Sequence, residues 1–412
     1  MLKEHVRMAL GKVVDPLEQL ELIDVLQRLG LSYHFEGEMK RILEGLYNKD
    51  QSGDTWRKEN LYAISLKFRL LRQHGYNISQ GVFNIFRDER GKFKACLYED
   101  TQGMLSLYEA SFLSTKSENI LEEERDFATK HLQEYVKLNK YQSKTLSTIV
   151  SHALELPLHW RIIRFETRWF IDLYRSRKDM NPILLEHVEM DFNMVQAVHQ
   201  EDLKQVSRWW KKNKLGENMI FARDRLMEIF FWSMGMIDQP QFGCCRINLT
   251  NLGSLMTIVD DVYDVYGTLD ELKFFKDAIE RWEINAMDRL PDYIKICFLI
   301  LYNFVKEMAF DFLKEQGFHI IRYLKKAWAD LCRSYLLEAK WYYGEYIPSL
   351  EEYLENAWIS ISTPVILMHA YFMVTNPITK EEFDCLEEYP KIFYWSSMIL
   401  RLTDDLGTSA IC

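Results

Sequence analysis

Glycine and proline are scarce in this 412-residue chain, at 17 and 9 copies. A chain with few residues that break or sharply turn the backbone suits helices, and the abundance of Leu, Glu, Lys, Ile and Phe agrees. No segment sustains period-two alternation, so no half-buried strand is predicted. GxGxxG and GxxxxGK are both absent, which removes the two common glycine-rich phosphate cradles. CxxC is absent too. Seven cysteines are scattered and only Cys244 and Cys245 are adjacent, which reads as reduced thiols in an intracellular compartment. Positive charge is in deficit: 51 basic against 61 acidic residues leave −10. With no basic stripe, nucleic acid is not the expected partner. The longest apolar runs, such as "ICFLILYNFV", fall short of a bilayer span. The N-terminus, "MLKEHVRMAL", lacks the Arg- and Ser-rich, acid-poor character of an organelle transit segment.

What is present is a globular composition, 48% hydrophobic and 27% charged, in a chain long enough for two domains. The predicted class is all-α. "DPLEQLELIDVLQRLG" places Asp15 as N-cap, Pro16 in the first turn and Gly30 at the C′ position, with Leu17, Leu20, Ile23 and Leu26 on one face. "NLYAISLKFRLLRQHG" repeats that grammar and ends at Gly75. A boundary falls near Pro157, in "LELPLHWR", giving domains 1–157 and 158–412. Residues 1–157 carry no clustered catalytic constellation. The motifs that suggest chemistry all lie beyond residue 220.

"IVDDVYDVYGTLDE", residues 258–271, gathers three carboxylates. Asp260 and Asp264 are i and i+4, so they share a helix face, and Asp261 flanks them. Gly267 is the predicted helix stop, and Thr268 with Glu271 reads as a capping box for the next helix. The aspartates therefore occupy the C-terminal turns, where the macrodipole disfavours each anion by roughly 0.3–1 kcal/mol. A bound cation would offset that cost, and hard oxygen ligands suit Mg²⁺ better than Zn²⁺. The plainer alternative is an acidic helix end facing solvent. The apolar company of Ile258, Val259, Val262 and Tyr263 argues against it.

A second acidic segment, "SSMILRLTDDLGTSAIC", sets Asp404 and Thr408 at i and i+4, with Arg401 one turn earlier. The next position on that face is Cys412, and a thiol is a poor Mg²⁺ ligand. Upstream, "FARDRLME" carries Arg223 and Arg225. Two arginines near two acidic metal sites suit a diphosphate, because guanidinium forks bind phosphate oxygens bidentately. Taken alone, an RxR more often pairs with its own Asp224 or Glu228.

Together these pieces resemble a plant class I terpene synthase. "DDVYDVYGTLDEL" is similar to the family's DDxxD segment, "FARDRL" to its arginine motif, and "LRLTDDLGTS" to most of its second metal motif, (N/D)DxxSxxxE. "LELIDVLQRLGLSYHFEGEM", "LSLYEASFL" and "RWFIDLYRSRKDMNP" resemble its non-catalytic stretches. The likeness covers nearly the whole chain and leans toward the angiosperm monoterpene branch of ocimene, myrcene and linalool type. It implies an N-terminal α-barrel and a class I α-bundle. It implies Mg²⁺, with Mn²⁺ as the alternative, and a prenyl diphosphate substrate, geranyl before farnesyl, ionised toward an acyclic monoterpene. By resemblance, Asp260 and Asp264 bind metal and Asp261 pairs mainly with a cation. Asp404 and Thr408 serve a second metal site, and Arg223, Arg225 and Arg401 hold diphosphate. Trp232 is the candidate ring facing the carbocation, with ordinary core packing as the other reading. Pro364, in "WISISTPVIL", is expected to interrupt a pocket helix. The family implies a monomer and a chloroplast location, with cytoplasm as the alternative for a chain lacking a transit segment.

The sequence also departs from the family. There is no DxDD, so protonation-initiated cyclisation is not expected. The RR-x8-W segment is absent, and the second metal motif has Cys412 in place of glutamate. Relatives continue for several helices beyond this point, so the expectation is a C-terminally truncated, incomplete bundle, inactive or nearly so. A catalytically dead, diphosphate-binding helical protein is the competing reading. A prenyltransferase would need a second DDxxD, which "DDLGT" does not supply.

Overall fold

The computed structural model describes residues 2–51, 60–139, 145–375 and 377–409. Among these residues the regular structure is helical, and the one β feature is an isolated antiparallel bridge between Arg87 and Phe93. The chain divides into two compact units, residues 1–196 and 197–412.

In the first unit the predicted grammar is visible. The Asp15 carboxylate accepts from the backbone N–H groups of Leu17 and Glu18, at 2.9 and 3.1 Å, and opens the helix Pro16–Arg28. Leu20, Ile23 and Leu26 are completely buried. Gly30 ends the segment at φ 68°. A Cβ there would also lie 2.7 Å from the Thr167 hydroxyl, so glycine answers both a left-handed turn and a close approach. The helices Pro16–Arg28, Leu61–Gln73 and Thr101–Ser111 are joined by buried charge. Arg28 bonds Asp24 at 3.0 Å and Glu109 at 2.6 Å, and Arg69 pairs with Asp24. Burial works against the charge of Asp24, yet Arg28 and Arg69 hold its carboxyl down at about 2. Every member of this cluster has an opposite partner, which is the condition for burying ions at all. Residues 158–196, beyond the boundary drawn at Pro157, belong by compactness to this first unit.

The second unit packs the helices Gly243–Asp261, Leu269–Arg281, Asp292–Gln316 and Ile321–Tyr343 around one apolar core. Leu255, Ile258, Val259 and Val262 are fully buried in it, beside Phe298, Leu301 and Trp328. The α-helix bearing the aspartates stops at Asp261, earlier than predicted. Residues Val262–Tyr266 form a π turn, closed by the Gly267 N–H on the Val262 carbonyl at 2.8 Å. Thr268 and Glu271 then form the expected capping box of Leu269–Arg281.

Two sequence expectations need correction. One stretch, Leu350–Val374, is long and apolar enough to cross a membrane by length and composition, with mean hydropathy 1.5. Reading only uninterrupted apolar runs passed over it. In the fold it is two helices, Leu350–Ser360 and Thr363–Val374, and half of its apolar window is buried within the protein. The interruption is real, but Pro364 does not make it. Pro364 lies in the first turn of the second helix, where its missing N–H costs nothing. Ser362 turns the chain, at φ 67°.

Gly267 is required for space. A Cβ there would stand 2.6 Å from a Leu272 methyl and 2.8 Å from the Val262 carbonyl oxygen. Gly267→Ala is therefore expected to destabilise the protein by about 1–3 kcal/mol through overpacking against backbone. Denaturant titration checks this, and a loss within error of zero would show that the π turn gives way freely.

Candidate active site

Asp260 and Asp261 end an α-helix and Asp264 sits in the π turn that follows. Their surroundings differ. Asp261 is 2% exposed and fully engaged by Arg223. The Arg223 backbone N–H donates to its Oδ2 at 2.8 Å and Nε donates to its Oδ1 at 2.7 Å. Arg223 Nη2 reaches across to Asp260 Oδ2, also at 2.7 Å. One arginine thus bridges two adjacent carboxylates. Arg225 does not join them. It makes an exposed i, i+3 pair with Glu228 at 2.9 Å, the local pairing that an RxR commonly makes.

Asp264 is solvent-exposed and has no ion pair among the described residues. Partial desolvation, then the charges of Asp260 and Glu338, push its carboxyl up to about 7. Asp260 is raised as well, first by desolvation, with Arg223 and a hydrogen bond from Tyr335 opposing the shift. Glu338 is a third raised carboxyl, desolvated on the helix Ile321–Tyr343 and bonded by the Asn356 side chain at 2.8 Å. Sequence reading missed Tyr335, Glu338 and Asn356. They carry no motif, and their spacing to the aspartates has meaning only once the helices pack.

The second acidic segment lies on the helix Lys391–Thr408. Arg401 pairs with Asp404 and, at 2.6 Å, with Asp405. Tyr353 donates to Asp405 at 2.8 Å. The Thr408 hydroxyl donates to the Asp404 carbonyl at 2.9 Å, so its proton is committed to backbone here. Cys412 lies outside the described residues. The charges of Arg401, which lowers it, and Asp260, which raises it, both act on the Glu338 carboxyl. Trp232, on the helix Leu226–Met236, is 61% exposed, so core packing does not account for it.

Asp260, Asp264 and Glu338 offer carboxylate oxygens, and desolvation raises all three. Among the described residues no three His, Cys, Asp or Glu side chains close into a ready cage. Carboxylate oxygens are hard donors, of the kind that suit a hard divalent ion.

One arginine thus binds the carboxylates at the end of Gly243–Asp261, and another, Arg401, binds those on Lys391–Thr408. Residues 211–411 match the metal binding domain of the terpene synthase family, and residues 1–154 match the terpene synthase N-terminal domain. A chloroplastic myrcene synthase of Quercus ilex is 70% identical over 409 residues, covering 99% of this chain and 68% of that protein. A (-)-alpha-terpineol synthase of Vitis vinifera is 62% identical, covering 99% and 69%. Among solved structures, isoprene synthase from grey poplar leaves (Populus x canescens), in complex with three Mg²⁺ ions and dimethylallyl-S-thiolodiphosphate, superposes with a TM-score of 0.94. It is 47% identical, and the match covers 100% of this chain and 78% of that one. The chain belongs to the terpene synthase family, and its fold is the family's N-terminal α-barrel with the class I α-bundle. Use of a divalent metal follows from that membership.

The raised carboxyl of Asp264 has a definite consequence for stability. Unfolded, the group ionises near 4; folded, it keeps its proton up to about 7. Between those values the folded state binds more protons, so metal-free stability falls as pH rises from about 4 to 7 and stays lowered above. Asp264→Asn should raise the Tm of the metal-free protein at pH 8, with the gain shrinking toward pH 5. Calorimetric scans across that range check it. A gain independent of pH would mean that the carboxyl is not shifted.

Proposed function

We propose that this chain carries Mg²⁺-dependent class I terpene synthase chemistry, ionising geranyl diphosphate toward an acyclic monoterpene such as ocimene or myrcene. The observation that carries the proposal is the trio Asp260, Asp261 and Asp264 at one helix end, with Arg223 bridging Asp260 and Asp261. The identity to a myrcene synthase supports the ten-carbon substrate and the acyclic product. The Mg²⁺-bound complex of the poplar enzyme supports the metal and the allylic diphosphate class. Mn²⁺ is the alternative metal.

In this reading Asp260 and Asp264 hold metal, and Asp404 with Thr408 serves a second metal position. When bound, the metal supplies Lewis-acid stabilisation of the departing diphosphate. Arg225 and Arg401 hold diphosphate oxygens, each turning from the carboxylate it now faces, and Arg223 does so by turning from Asp260 alone. Asp261 stays with Arg223 and aims it. The allylic C–O bond breaks with its electron pair leaving on the diphosphate oxygen. Loss of a proton from the resulting cation then gives the triene. Trp232 is assigned to the cation by its ring face, an attraction of about 0.5–2 kcal/mol. Residues 1–157 contribute no chemistry, and within 158–412 the residues given roles here all lie in the second unit, 197–412. The chain works as a monomer, in the chloroplast like the enzyme of Quercus ilex.

Cys412 stands where the family's second metal motif ends in glutamate. A thiol is soft and binds Mg²⁺ poorly. Loss of one transition-state stabiliser commonly costs about 10²–10³ in rate. Residues 1–412 alone should therefore turn over at least that much more slowly than the relatives. The test is incubation with geranyl and, separately, farnesyl diphosphate plus Mg²⁺, followed by volatile analysis. Traces of acyclic monoterpene from geranyl diphosphate are expected, and none from Asp260→Asn. A C15 product, or turnover unaffected by Asp260→Asn, would overturn the reading.

A further inference from the structure

We propose that Tyr353 is a positioning residue that shares the carboxylate of Asp405 with Arg401 and so keeps this arginine free to turn to the diphosphate. The proposal rests on the reading of Arg401 as a diphosphate ligand. Tyr353 lies in the first turn of the helix Leu350–Ser360, and its place there is fixed from both sides. Before it, Ser349 and Glu352 form a capping box: the Ser349 N–H donates to Glu352 at 2.8 Å and the Glu352 N–H to the Ser349 hydroxyl at 3.2 Å. The Tyr353 N–H then donates to the Ser349 carbonyl at 2.9 Å. One turn on, Asn356 is buried. Its amide N–H donates to Glu338 at 2.8 Å, and its side-chain oxygen accepts from the Ser334 hydroxyl at 2.8 Å. A helix pinned this way presents the Tyr353 hydroxyl at a set position, where it donates to Asp405 Oδ2 at 2.8 Å.

The other oxygen of Asp405, Oδ1, stands 2.6 Å from Arg401 Nη2, and the same nitrogen pairs with Asp404. Arg401 is thus held through one nitrogen that two carboxylates share. Its Nε is buried and has no hydrogen-bond partner among the described residues. Arg223 is the contrast: its backbone N–H, Nε and Nη2 each meet a carboxylate oxygen. An arginine spread over three bonds stays in place, whereas one hung from a single nitrogen can turn away. A carboxylate with no other donor would hold it back. Tyr353 relieves that hold, because a donated hydroxyl proton stabilises the charge of Asp405 without the guanidinium. Removing the hydroxyl leaves Arg401 as the one partner of that carboxylate among the described residues. Tyr353 touches neither substrate nor metal in this scheme and acts through Asp405.

The experiment is calorimetric titration of inorganic pyrophosphate into the 412-residue chain at fixed Mg²⁺. It compares the wild type with Arg401→Gln, Tyr353→Phe, Asp405→Asn and the Tyr353→Phe/Asp405→Asn double variant, with the Tm of each. Arg401→Gln should weaken binding about tenfold or more, the range of a hydrogen bond to a charged group. Tyr353→Phe should weaken it about three- to tenfold, as Asp405 then competes for the arginine. Asp405→Asn removes the competitor, so binding should hold or tighten. The double variant should return to the level of Asp405→Asn. That recovery is one a merely structural role for Tyr353 would not produce. Should Tyr353→Phe not fold, Asp405→Asn carries the test, and weaker binding in it would overturn the proposal. Unchanged or tighter binding in Tyr353→Phe, or a loss that Asp405→Asn does not restore, would overturn it too and leave the reading of Arg401 standing. Binding indifferent to Arg401→Gln would remove both.

Discussion

Asp261 is a carboxylate held almost entirely out of water at the negative end of a helix, and the site is organised around making that tolerable. Removing such an anion from solvent costs several kcal/mol unless it is paired and hydrogen-bonded. Arg223 supplies both, through its backbone N–H and its guanidinium. Because the backbone takes part, the loop carrying "FARDR" is pinned to the end of the aspartate helix. The same guanidinium extends to Asp260, so the pairing that solves a burial problem also fixes where the neighbouring carboxylate stands.

The other carboxylates are left unbalanced. Asp260, Asp264 and Glu338 are all raised, first by desolvation, Asp264 also by the charge of Asp260 and Asp260 by that of Asp261. The first unit shows the contrast. There Asp24 and Glu109 meet Arg28 and Arg69 directly, and Asp24 is held down at about 2. Glu124 is the exception in that unit, a buried carboxyl whose desolvation pushes it up to about 9, so that it is neutral at physiological pH. Buried charge matched by opposite charge serves the fold. Charge left unmatched at the end of a helix lowers stability, a feature common at functional sites.

The turn types matter to the same end. The π turn Val262–Tyr266 widens the backbone where Asp264 must face its neighbours, and Gly267 is the residue small enough to close it. π turns concentrate at functional sites for this reason: one extra residue re-aims a side chain without ending the helix. Ser362 does comparable work in the broken helix, where a left-handed residue separates two apolar segments that composition alone would read as one.

The sequence by itself determined the all-helical class, the caps at Asp15 and Thr268, the buried face Leu20–Ile23–Leu26 and the family. These depend on local spacing and on residue types that have few uses. It also placed Asp260, Asp261 and Asp264 at a helix end, because i, i+4 geometry needs no knowledge of neighbours. Only the tertiary structure decided that Arg223 rather than Arg225 meets them, since both have the same local alternative in a nearby carboxylate. Only packing brought in Tyr335, Glu338 and Asn356, from helices 75–96 residues further along the chain. It also moved the helix break from Pro364 to Ser362. A proline announces itself in sequence. A serine at positive φ, whose hydroxyl meets that of Tyr335 on another helix, does not, because that contact is non-local.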